Sequence, residues 1–318
     1  MKDKINVVFM GTPDFAVTTL KKLVESKKYN VVACVTNPDK PSGRGMKLKT
    51  SPVKDFAISN GIPVFQPQKV KNNLDIYNTL KKMDADFFVV VAYGKILPKD
   101  ILDIPRYGAI NVHASLLPKY RGAAPMQWAL INGENKTGVT TMYMDVGMDT
   151  GDMLLKEEID IKKDDNLESI HDKLKEIGAN LLIETLDGII SNTITRKKQG
   201  DNFSMAPMIH KDMTRIDFNN TPQDICNFVR GLSPVPGAFA TLENGKIYKI
   251  FKTEEVVYED VKDKEENGKI VYVSKDKLYI KCNGGCISVL QIQPPNSKKM
   301  DIKSFLAGNK LDINQKFI

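Results

Sequence analysis

In the first half of the chain, short apolar segments alternate with segments whose apolar residues recur at helical spacing. A strand that is apolar on both faces has to be covered on both sides, and a parallel sheet with a helix between successive strands meets that requirement. The pattern therefore predicts an α/β domain with a mostly parallel sheet and helices on both faces. The candidate strands are INVVFM (5–10), NVVACVT (30–36), IPVFQP (62–67), DFFVVVAYG (86–94) and AINVH (109–113).

The pattern changes after these strands. VTTMYMDV (139–146) and MLLKEEIDI (153–161) alternate in polarity, which fits antiparallel strands added at the edge of the sheet. Apolar residues then keep three- and four-residue spacing from Leu167 to Ile189, which predicts an amphipathic helix of about six turns. We expect this helix to close a first domain over 1–190, and the polar, aperiodic stretch 191–206 to be a linker.

A second domain of different character is predicted over 207–318. A short helix near 221–232 is followed by strands at short intervals, separated by turns such as ENGK and KCNGGC. Closely spaced short strands with Gly- and Asn-containing turns are typical of a small all-β barrel or sandwich. DIKSFLAG (301–308) predicts a final helix.

The composition argues against several classes of protein. Of the 318 residues, 42% are hydrophobic and 27% charged, and no apolar run approaches the roughly 20 residues of a membrane helix. The first residues, MKDKINVVFMGT, lead directly into a strand-like segment without the apolar core of a signal peptide. We therefore expect a cytoplasmic protein with reduced cysteines. Cys282 and Cys286 have neither a nearby histidine nor a second pair to complete a zinc site.

The chain is basic, with a net charge of +7, which favours a polyanionic partner without requiring one. The stretch KPSGRGMKLKTSPVK (40–54) contains five cations and no acid. Such a loop is most often simply solvated. The alternative is a mobile basic finger that meets phosphates, with glycines on either side of Arg44 allowing it to change shape on binding.

GTPDF (11–15), after the first strand, is a poor candidate for a nucleotide site. A dinucleotide fingerprint needs the spacing G-x-G-x-x-G, so that the pyrophosphate can approach a helix N-terminus. This stretch has one glycine, followed by Pro13 and Asp14. We interpret it as a tight turn with Pro13 starting a helix.

The strongest candidate for chemistry is the end of the fifth strand. Asn111 and His113 are two residues apart, so their side chains point the same way, near the carboxyl end where open α/β sheets bind ligands. An amide beside an imidazole can hold a carbonyl oxygen that is gaining negative charge. Asp149, in GMDTGD (147–152), supplies a carboxylate that can orient the imidazole and stabilise its charged form. The alternative from spacing alone is a core histidine capped by its neighbours.

Covalent catalysis is not indicated, because no Ser or Cys lies in a nucleophile-elbow pattern of the type G-x-S-x-G. Acyl transfer by these residues would therefore be direct. His171, on the exposed side of the long helix pattern, and His210, just after the linker, are interpreted as structural or solvated.

Several longer motifs, in order over nearly the whole chain, closely resemble the methionyl-tRNA formyltransferase family. HASLLPKYRGAAP combined with GMDTGD is typical of formyltransferases that use 10-formyltetrahydrofolate, and GRGMKLKTSPVK with the β-rich C-terminal half points to the tRNA-specific members. The motifs are INVVFMGTPDFAV (5–17), NPDKPSGRGMKLKTSPVK (37–54), NVHASLLPKYRGAAPMQWAL (111–130), MDVGMDTGDML (144–154) and KDMTRIDFNN (211–220).

The resemblance implies a Rossmann-like N-terminal domain and a small OB-like C-terminal β-barrel that helps to hold tRNA. It implies formyl transfer from 10-formyltetrahydrofolate, a co-substrate, to the α-amine of methionine on initiator tRNA, for translation initiation. No metal is implied. The family's catalytic residues fall on Asn111, His113 and Asp149, its folate contacts on Ser115, Leu116, Leu117 and Pro118, and its acceptor-stem arginine on Arg44, which we expect Lys47 and Lys49 to assist.

The family chemistry agrees with the chemistry of the residues. An α-amino group has a pKa of about 7.7–8.0, so a useful fraction is neutral at cellular pH and no strong base is needed. We expect Asn111 and protonated His113 to stabilise the oxyanion, and Asp149 to support the His113 cation and help to move the amine proton.

The chain departs from the family at SPVPGA (233–238), where Val235 replaces an expected aromatic residue; the change bears on packing or tRNA contact. Two alternatives stay open. One is a formyltransferase acting on a sugar-nucleotide or purine-pathway amine, which would use the same three residues. The other is a non-enzymatic RNA-binding module on a degenerate scaffold. No pairing signal such as a coiled-coil heptad is present, so a monomer is expected.

Overall fold

A computed structural model describes residues 4–42, 47–259, 265–313 and 315–318. Its contacts separate two compact units. The first consists of Met1–Pro125, Thr137–Ile159 and His171–Pro207, and the second of Met126–Lys136, Asp160–Ile170 and Met208–Ile318. Two stretches that precede residue 171 thus group with the C-terminal residues.

The elements up to residue 190 follow the predicted alternation of strands and helices. In chain order they are β1 (Ile5–Gly11), α1 (Asp14–Glu25), β2 (Tyr29–Val35), β3 (Lys40–Ser42), β4 (Lys47–Lys49), α2 (Pro52–Ser59), β5 (Val64–Phe65), α3 (Leu74–Lys82), β6 (Phe87–Val91), α4 (Lys99–Leu102), β7 (Ala109–His113), α5 (Pro125–Ile131), β8 (Lys136–Tyr143), β9 (Met153–Asp160) and α6 (Leu167–Ile190).

The sheet of the first unit has the order β5-β2-β1-β6-β7-β8-β9. The pairs β1–β2, β1–β6, β2–β5 and β6–β7 are parallel, and β8 pairs antiparallel with β7. All five residues of β6 are buried, as its two apolar faces predict. The predicted α/β fold with an antiparallel edge is therefore confirmed. It brings the carboxyl ends of β1, β6 and β7 to one edge of the sheet, where ligands bind in this class of fold.

The helices begin where local chemistry favours them. Ser51 caps α2 by accepting a hydrogen bond from the Lys54 amide, with Pro52 at the first helical position, and Asn73 caps α3 through the Ile76 amide. In α6, the side chains of Leu174, Leu182 and Leu186, among others, are fully buried on the predicted apolar stripe.

Parts of the stretch 40–54 form regular secondary structure where a loop is predicted. Lys40–Ser42 and Lys47–Lys49 form an antiparallel hairpin, with Lys40 opposite Lys49. Residues 52–54 already belong to α2, and Lys54 Nζ lies 2.5 Å from Asp39 Oδ2. Lys54 is thus committed to an ion pair next to the hairpin, and the basic character of the stretch depends on its other cations.

The polar stretch 191–206 is anchored to the first unit along part of its length. Met153 and Lys197 exchange two backbone hydrogen bonds of 2.8 and 2.9 Å, and the Arg121 amide donates to the Ser204 carbonyl at 2.9 Å. Ala206 is fully buried. These contacts fix the stretch to the rest of the unit at several points, while most of its residues stay exposed.

The second unit is built on six antiparallel strands. It continues with a 3-10 helix (Lys211–Thr214), α7 (Pro222–Gly231), β10 (Ala238–Thr241), β11 (Ile247–Val256), β12 (Ile270–Val273), β13 (Leu278–Cys282), β14 (Gly285–Gln293), β15 (Met300–Asp301) and α8 (Ile302–Gly308). The strand order is β10-β11-β14-β13-β12, with β15 beside β14.

The last residues close this sheet. Ile318 exchanges two backbone hydrogen bonds with Thr241, at the end of β10, and the Phe317 amide donates to the Gly268 carbonyl just before β12. The chain end therefore bridges the two outer strands, which gives the predicted small barrel. Val235, the departure from the family pattern, is 72% exposed and takes no part in the barrel core.

Close packing at the sheet edge gives a stability prediction. A Cβ added to Gly138 in β8 would overlap the backbone carbonyl oxygen of Glu157 in β9. Because a backbone atom cannot swing aside like a side chain, we expect Gly138→Ala to lower the free energy of unfolding by about 1–3 kcal/mol, measured by urea denaturation. Gly308→Ala is the control, since nothing lies within 4 Å of its added Cβ. Equal stability of the two variants would refute the packing argument.

Candidate active site

Strand β7 carries Asn111 and His113 toward the same side of the sheet, at its carboxyl end. The strand is parallel to β6, with Asn111 opposite Val90, and His113 is the last strand residue, paired with Thr140 of β8. Asn111 is 8% and His113 6% exposed. Both polar side chains are thus withdrawn from bulk solvent, where hydrogen bonds to developing charge are strongest.

The His113 ring is fixed by a backbone carbonyl. Its Nε2 lies 2.9 Å from the Tyr120 carbonyl oxygen, which can only accept, so Nε2 carries a proton. The other ring atom, Nδ1, faces Asp149 Oδ2 at 3.7 Å. That distance is too long for a hydrogen bond, so the carboxylate faces the ring without bonding to it.

Asp149 completes the cluster from the loop between β8 and β9. Its Oδ2 accepts a 2.8 Å hydrogen bond from the Gly122 amide, and its Oδ1 accepts one of 3.3 Å from Asn111 Nδ2. Asp149 has a φ of +53°, a left-handed conformation that a non-glycine residue adopts only when its surroundings favour it. The structure therefore brings the three predicted residues together: the Asp149 carboxylate is hydrogen-bonded to Asn111 and faces the His113 ring.

The segment after β7 is held in place by β8. Thr140 Oγ1 donates to the Ser115 carbonyl at 2.7 Å and accepts from the Leu117 amide at 3.1 Å, while Ser115 Oγ donates to the Lys119 carbonyl at 2.7 Å. Lys156 Nζ donates to the Leu117 carbonyl, and burial together with Lys197 lowers the pKa of Lys156.

The four residues expected to contact folate differ in how far they are exposed to solvent. Leu117 is 1% exposed and packs in a small cluster with Met142 and Met153, and its amide and carbonyl are already bonded to Thr140 and Lys156. Ser115 is buried as well, whereas Leu116 and Pro118 are partly exposed. The segment thus presents two partly exposed apolar side chains, Leu116 and Pro118, on a backbone that is held in place by internal hydrogen bonds.

Two of the three residues expected to bind tRNA lie in β4, which pairs with β3. Lys49 is exposed in β4, and Lys47 begins that strand. Arg44 lies outside the described residues. Within the ranges that are described, the hairpin places Lys40 and Lys49 side by side, which concentrates positive charge at its base.

Sequence reasoning missed three contributors to this cluster. Tyr120 acts through its carbonyl, Gly122 through its amide, and Thr140 through a hydroxyl that fastens the segment after β7. Gly122 lies in the motif RGAAP, so the requirement for glycine was the available signal. Backbone groups are present at every residue, so neither Tyr120 nor Gly122 could be assigned this contact from side-chain chemistry.

Other reactive side chains are poorly placed for catalysis. All four cysteines are free thiols, and burial raises the pKa of Cys34 and of Cys282 to about 12, which disfavours the nucleophilic thiolate. His171 packs edge-on against Phe15, and His210 is exposed. No group of three or more His, Cys, Asp or Glu side chains suited to a metal occurs among the described residues. None of the helices in the described ranges is long and apolar enough to cross a membrane.

Comparison with known proteins identifies the class to which this fold and cluster belong. The family model described as formyl transferase matches residues 3–186, and the formyl transferase C-terminal domain matches residues 208–310. Among solved structures, the sugar 3N-formyl transferase WlaRD is similar, with a TM-score of 0.63 at 20% identity over 92% of this chain and 99% of that chain. HypX from Aquifex aeolicus with tetrahydrofolic acid has a TM-score of 0.60 at 14% identity over 97% of this chain and 50% of its own.

Relatives that match over nearly the full length of the chain identify the family within this class more narrowly. A methionyl-tRNA formyltransferase of Caldanaerobacter subterraneus subsp. tengcongensis is 49% identical over 96% of this chain and 98% of its own length. One from Geobacter metallireducens is 47% identical over 97% of both chains. The chain belongs to the methionyl-tRNA formyltransferase family.

Proposed function

We propose that this protein transfers the formyl group of 10-formyltetrahydrofolate to the α-amino group of methionine carried by initiator tRNA. The observation that carries the proposal is the cluster of Asn111, His113 and Asp149 at the carboxyl end of β7, in a chain of this family. An amide, an imidazole and a carboxylate converging on one point suit the direct attack of an amine on an acyl carbon.

Asn111 and His113 are proposed to hold the oxyanion. Because Nε2 of His113 is bound to the Tyr120 carbonyl, Nδ1 is the ring atom available to the substrate, and in the protonated ring it is a donor. Asn111 Nδ2 has a second hydrogen beyond the one directed at Asp149. The formyl oxygen, as it gains negative charge, would accept one hydrogen bond from His113 Nδ1 and one from Asn111 Nδ2.

Asp149 is proposed to support the charge on His113 and to help to move the proton. The bond between the amine nitrogen and the formyl carbon forms, the bond from that carbon to N10 of the folate breaks, and the amine proton ends on N10. Asp149 stands beside both donors, so it stabilises the imidazolium and can relay the proton without forming a covalent bond.

The folate is proposed to lie along Ser115–Pro118. The backbone there is fixed by Thr140 and Lys156, and this holds the partly exposed apolar side chains of Leu116 and Pro118 in place for packing against a planar ring system. Two solved structures of similar fold, those of WlaRD and HypX, were determined with 5-N-formyl-THF and tetrahydrofolic acid, respectively. In this proposal the folate is consumed as a co-substrate and no metal takes part.

The tRNA is proposed to meet Arg44, Lys47 and Lys49 in the stretch 40–54, and the barrel of the second unit is proposed to help to hold it. A net charge of +7 favours a polyanionic partner, and the hairpin concentrates lysines at its base. The proposed setting is the cytoplasm, where initiator tRNA is used, and the proposed form is a monomer, since the sequence lacks a pairing motif.

Formyl transfer to methionine on initiator tRNA and to free methionine is the test of this function. We expect transfer to require the tRNA, and Arg44→Ala to lower kcat/KM for methionyl-tRNA about tenfold or more, since a hydrogen bond to a charged group contributes about 1.5–3 kcal/mol. Lys21→Ala, which removes one helix-surface cation paired with Glu25, is the matched control and should leave kcat/KM unchanged.

Two results would contradict the proposal. If formyl transfer proceeds equally well without tRNA, the substrate would instead be a small amine, such as that of a sugar nucleotide or a purine precursor. If no formyl transfer to any amine is detected, the protein would be a non-enzymatic binding module.

A further inference from the structure

The stretch between α6 and the barrel contains a short segment, 199–206, that lies against the loops of the candidate active site. We call it the brace. Its backbone pairs with the loop after His113: the Arg121 amide donates to the Ser204 carbonyl at 2.9 Å, and the Ala206 amide donates to the Arg121 carbonyl at 2.7 Å. Ser204 Oγ accepts from the Tyr120 amide at 2.9 Å. The brace therefore holds the residue whose carbonyl orients His113.

Gln199, the first residue of the brace, uses its whole side-chain amide to join two loops. Nε2 donates to the carbonyl oxygens of Asp149 and Gly151, each at 2.8 Å. Oε1 accepts from Arg121 Nε at 2.9 Å. Arg121 is 8% exposed, and its guanidinium lies 4.5 Å from the centre of the Phe203 ring, so the far end of this connection is fixed as well.

The two loops joined by Gln199 are those that set the Asp149 carboxylate. One carries Asp149 itself, and the other carries Gly122, whose amide donates to Asp149 Oδ2 at 2.8 Å. Gly122 has a φ of +123°, and an added Cβ would lie 2.6 Å from the Ala206 carbonyl oxygen of the brace. Glycine is therefore required where the brace, the Gly122 loop and Asp149 meet.

We infer that Gln199 is a positioning residue for formyl transfer, which holds Asp149 in its left-handed conformation and so directs its carboxylate toward Asn111 and His113. The inference rests on the proposed role of Asp149. The Asp149 conformation is disfavoured locally, and two hydrogen bonds to the carbonyls on either side of Thr150 are suited to stabilise it. Catalytic groups act efficiently only when neighbouring contacts hold them close to the productive geometry.

Two substitutions of Gln199 distinguish its hydrogen bonds to the Asp149 and Gly151 carbonyls from its hydrogen bond with Arg121. Gln199→Leu removes every hydrogen bond of the amide. Gln199→Glu keeps an oxygen for Arg121 but loses the donors, so that a carboxylate faces two carbonyl oxygens. We expect both variants to lower kcat about 10–100-fold while KM for folate and for methionyl-tRNA changes less than about twofold. If the Arg121 contact were the important one, Gln199→Glu would retain the activity of the wild type.

A double-mutant cycle with Asp149→Asn tests whether Gln199 acts through Asp149. A residue that works through another has little left to affect once that other is replaced, so Gln199→Leu should cost less than about twofold in the Asp149→Asn background. Full additivity of the two losses would overturn the inference, because a general structural role would add independently. Ser191→Ala, which removes a 2.9 Å hydrogen bond to the Asp187 carbonyl earlier in the same stretch, is the control and should leave kcat unchanged.

Amide hydrogen exchange measures the same contact without reference to activity. In Gln199→Leu we expect exchange in peptides covering 145–152 to be about tenfold faster or more, whereas in Ser191→Ala it should match the wild type. Unchanged exchange would overturn the inference even if transfer to tRNA is established. Accelerated exchange in a protein that proves inactive toward methionyl-tRNA would support the positioning role while the proposed function fails.

Discussion

Replacement of Asn111 by alanine is expected to slow formyl transfer by about two to three orders of magnitude, since loss of one oxyanion donor costs about 2.7–4 kcal/mol of barrier. The side chain is buried on β7, so water is poorly placed to substitute for the lost donor. Because the interaction strengthens only as the formyl oxygen gains charge, kcat should fall far more than KM rises. Steady-state assays with methionyl-tRNA and 10-formyltetrahydrofolate measure both quantities.

The matched control for this prediction is Asn30→Ala. Asn30 is also a strand asparagine of the first unit, but it lies exposed near the amino end of β2, where it donates to Asn6. Its replacement should leave kcat unchanged. A kcat of Asn111→Ala within twofold of the wild type, in a protein that melts at the normal temperature, would remove Asn111 from the mechanism.

The second large effect is expected from Asp149→Asn, which should lower kcat about 10²–10⁴-fold, the range typical of a lost acid–base group. The amide is nearly the same size, but it has no charge to support the His113 cation of the proposed mechanism, whose Nδ1 lies 3.7 Å from the carboxylate. One carboxylate oxygen also becomes a donor group. It would then oppose either the Gly122 amide or the Asn111 amide, both of which donate to Asp149 in the wild type.

Asp164→Asn provides the comparison for the loss of charge alone, because Asp164 is an exposed carboxylate remote in sequence from the cluster. It should have the kcat of the wild type. Should Asp149→Asn retain more than about a tenth of the wild-type kcat, the charge would be dispensable and the proton would have to move through another group.

Much of the fold was predictable because it depends on side-chain periodicity. The buried strand Phe87–Val91 and the long helix Leu167–Ile190 were found from spacing alone, and period two placed Asn111 and His113 on one side of β7. Spacing could not bring Asp149 to them across 36 residues of chain from His113. The chemistry of the residue types and the family resemblance suggested that association, and the structure provides its geometry.

The parts that were not predicted are mostly backbone interactions. The hairpin at Lys40–Ser42 is too short to show alternation, and the closure of the barrel by Phe317 and Ile318 is made by main-chain groups. The stretch 191–206 is polar and aperiodic, the usual character of a linker. In the structure its amides and carbonyls pair with irregular loops, an arrangement that imposes no repeating pattern on side chains.

The division of the chain into two interleaved units limits how such an enzyme can be recombined. The second unit includes 126–136 and 160–170, and Ile131 from the first of these stretches packs against the core of the barrel unit. A chimera that exchanges only the residues after 207 would inherit both stretches from the wrong parent. A different C-terminal domain therefore cannot be exchanged as one continuous segment of sequence. The exchange also has to include the two earlier stretches, 126–136 and 160–170.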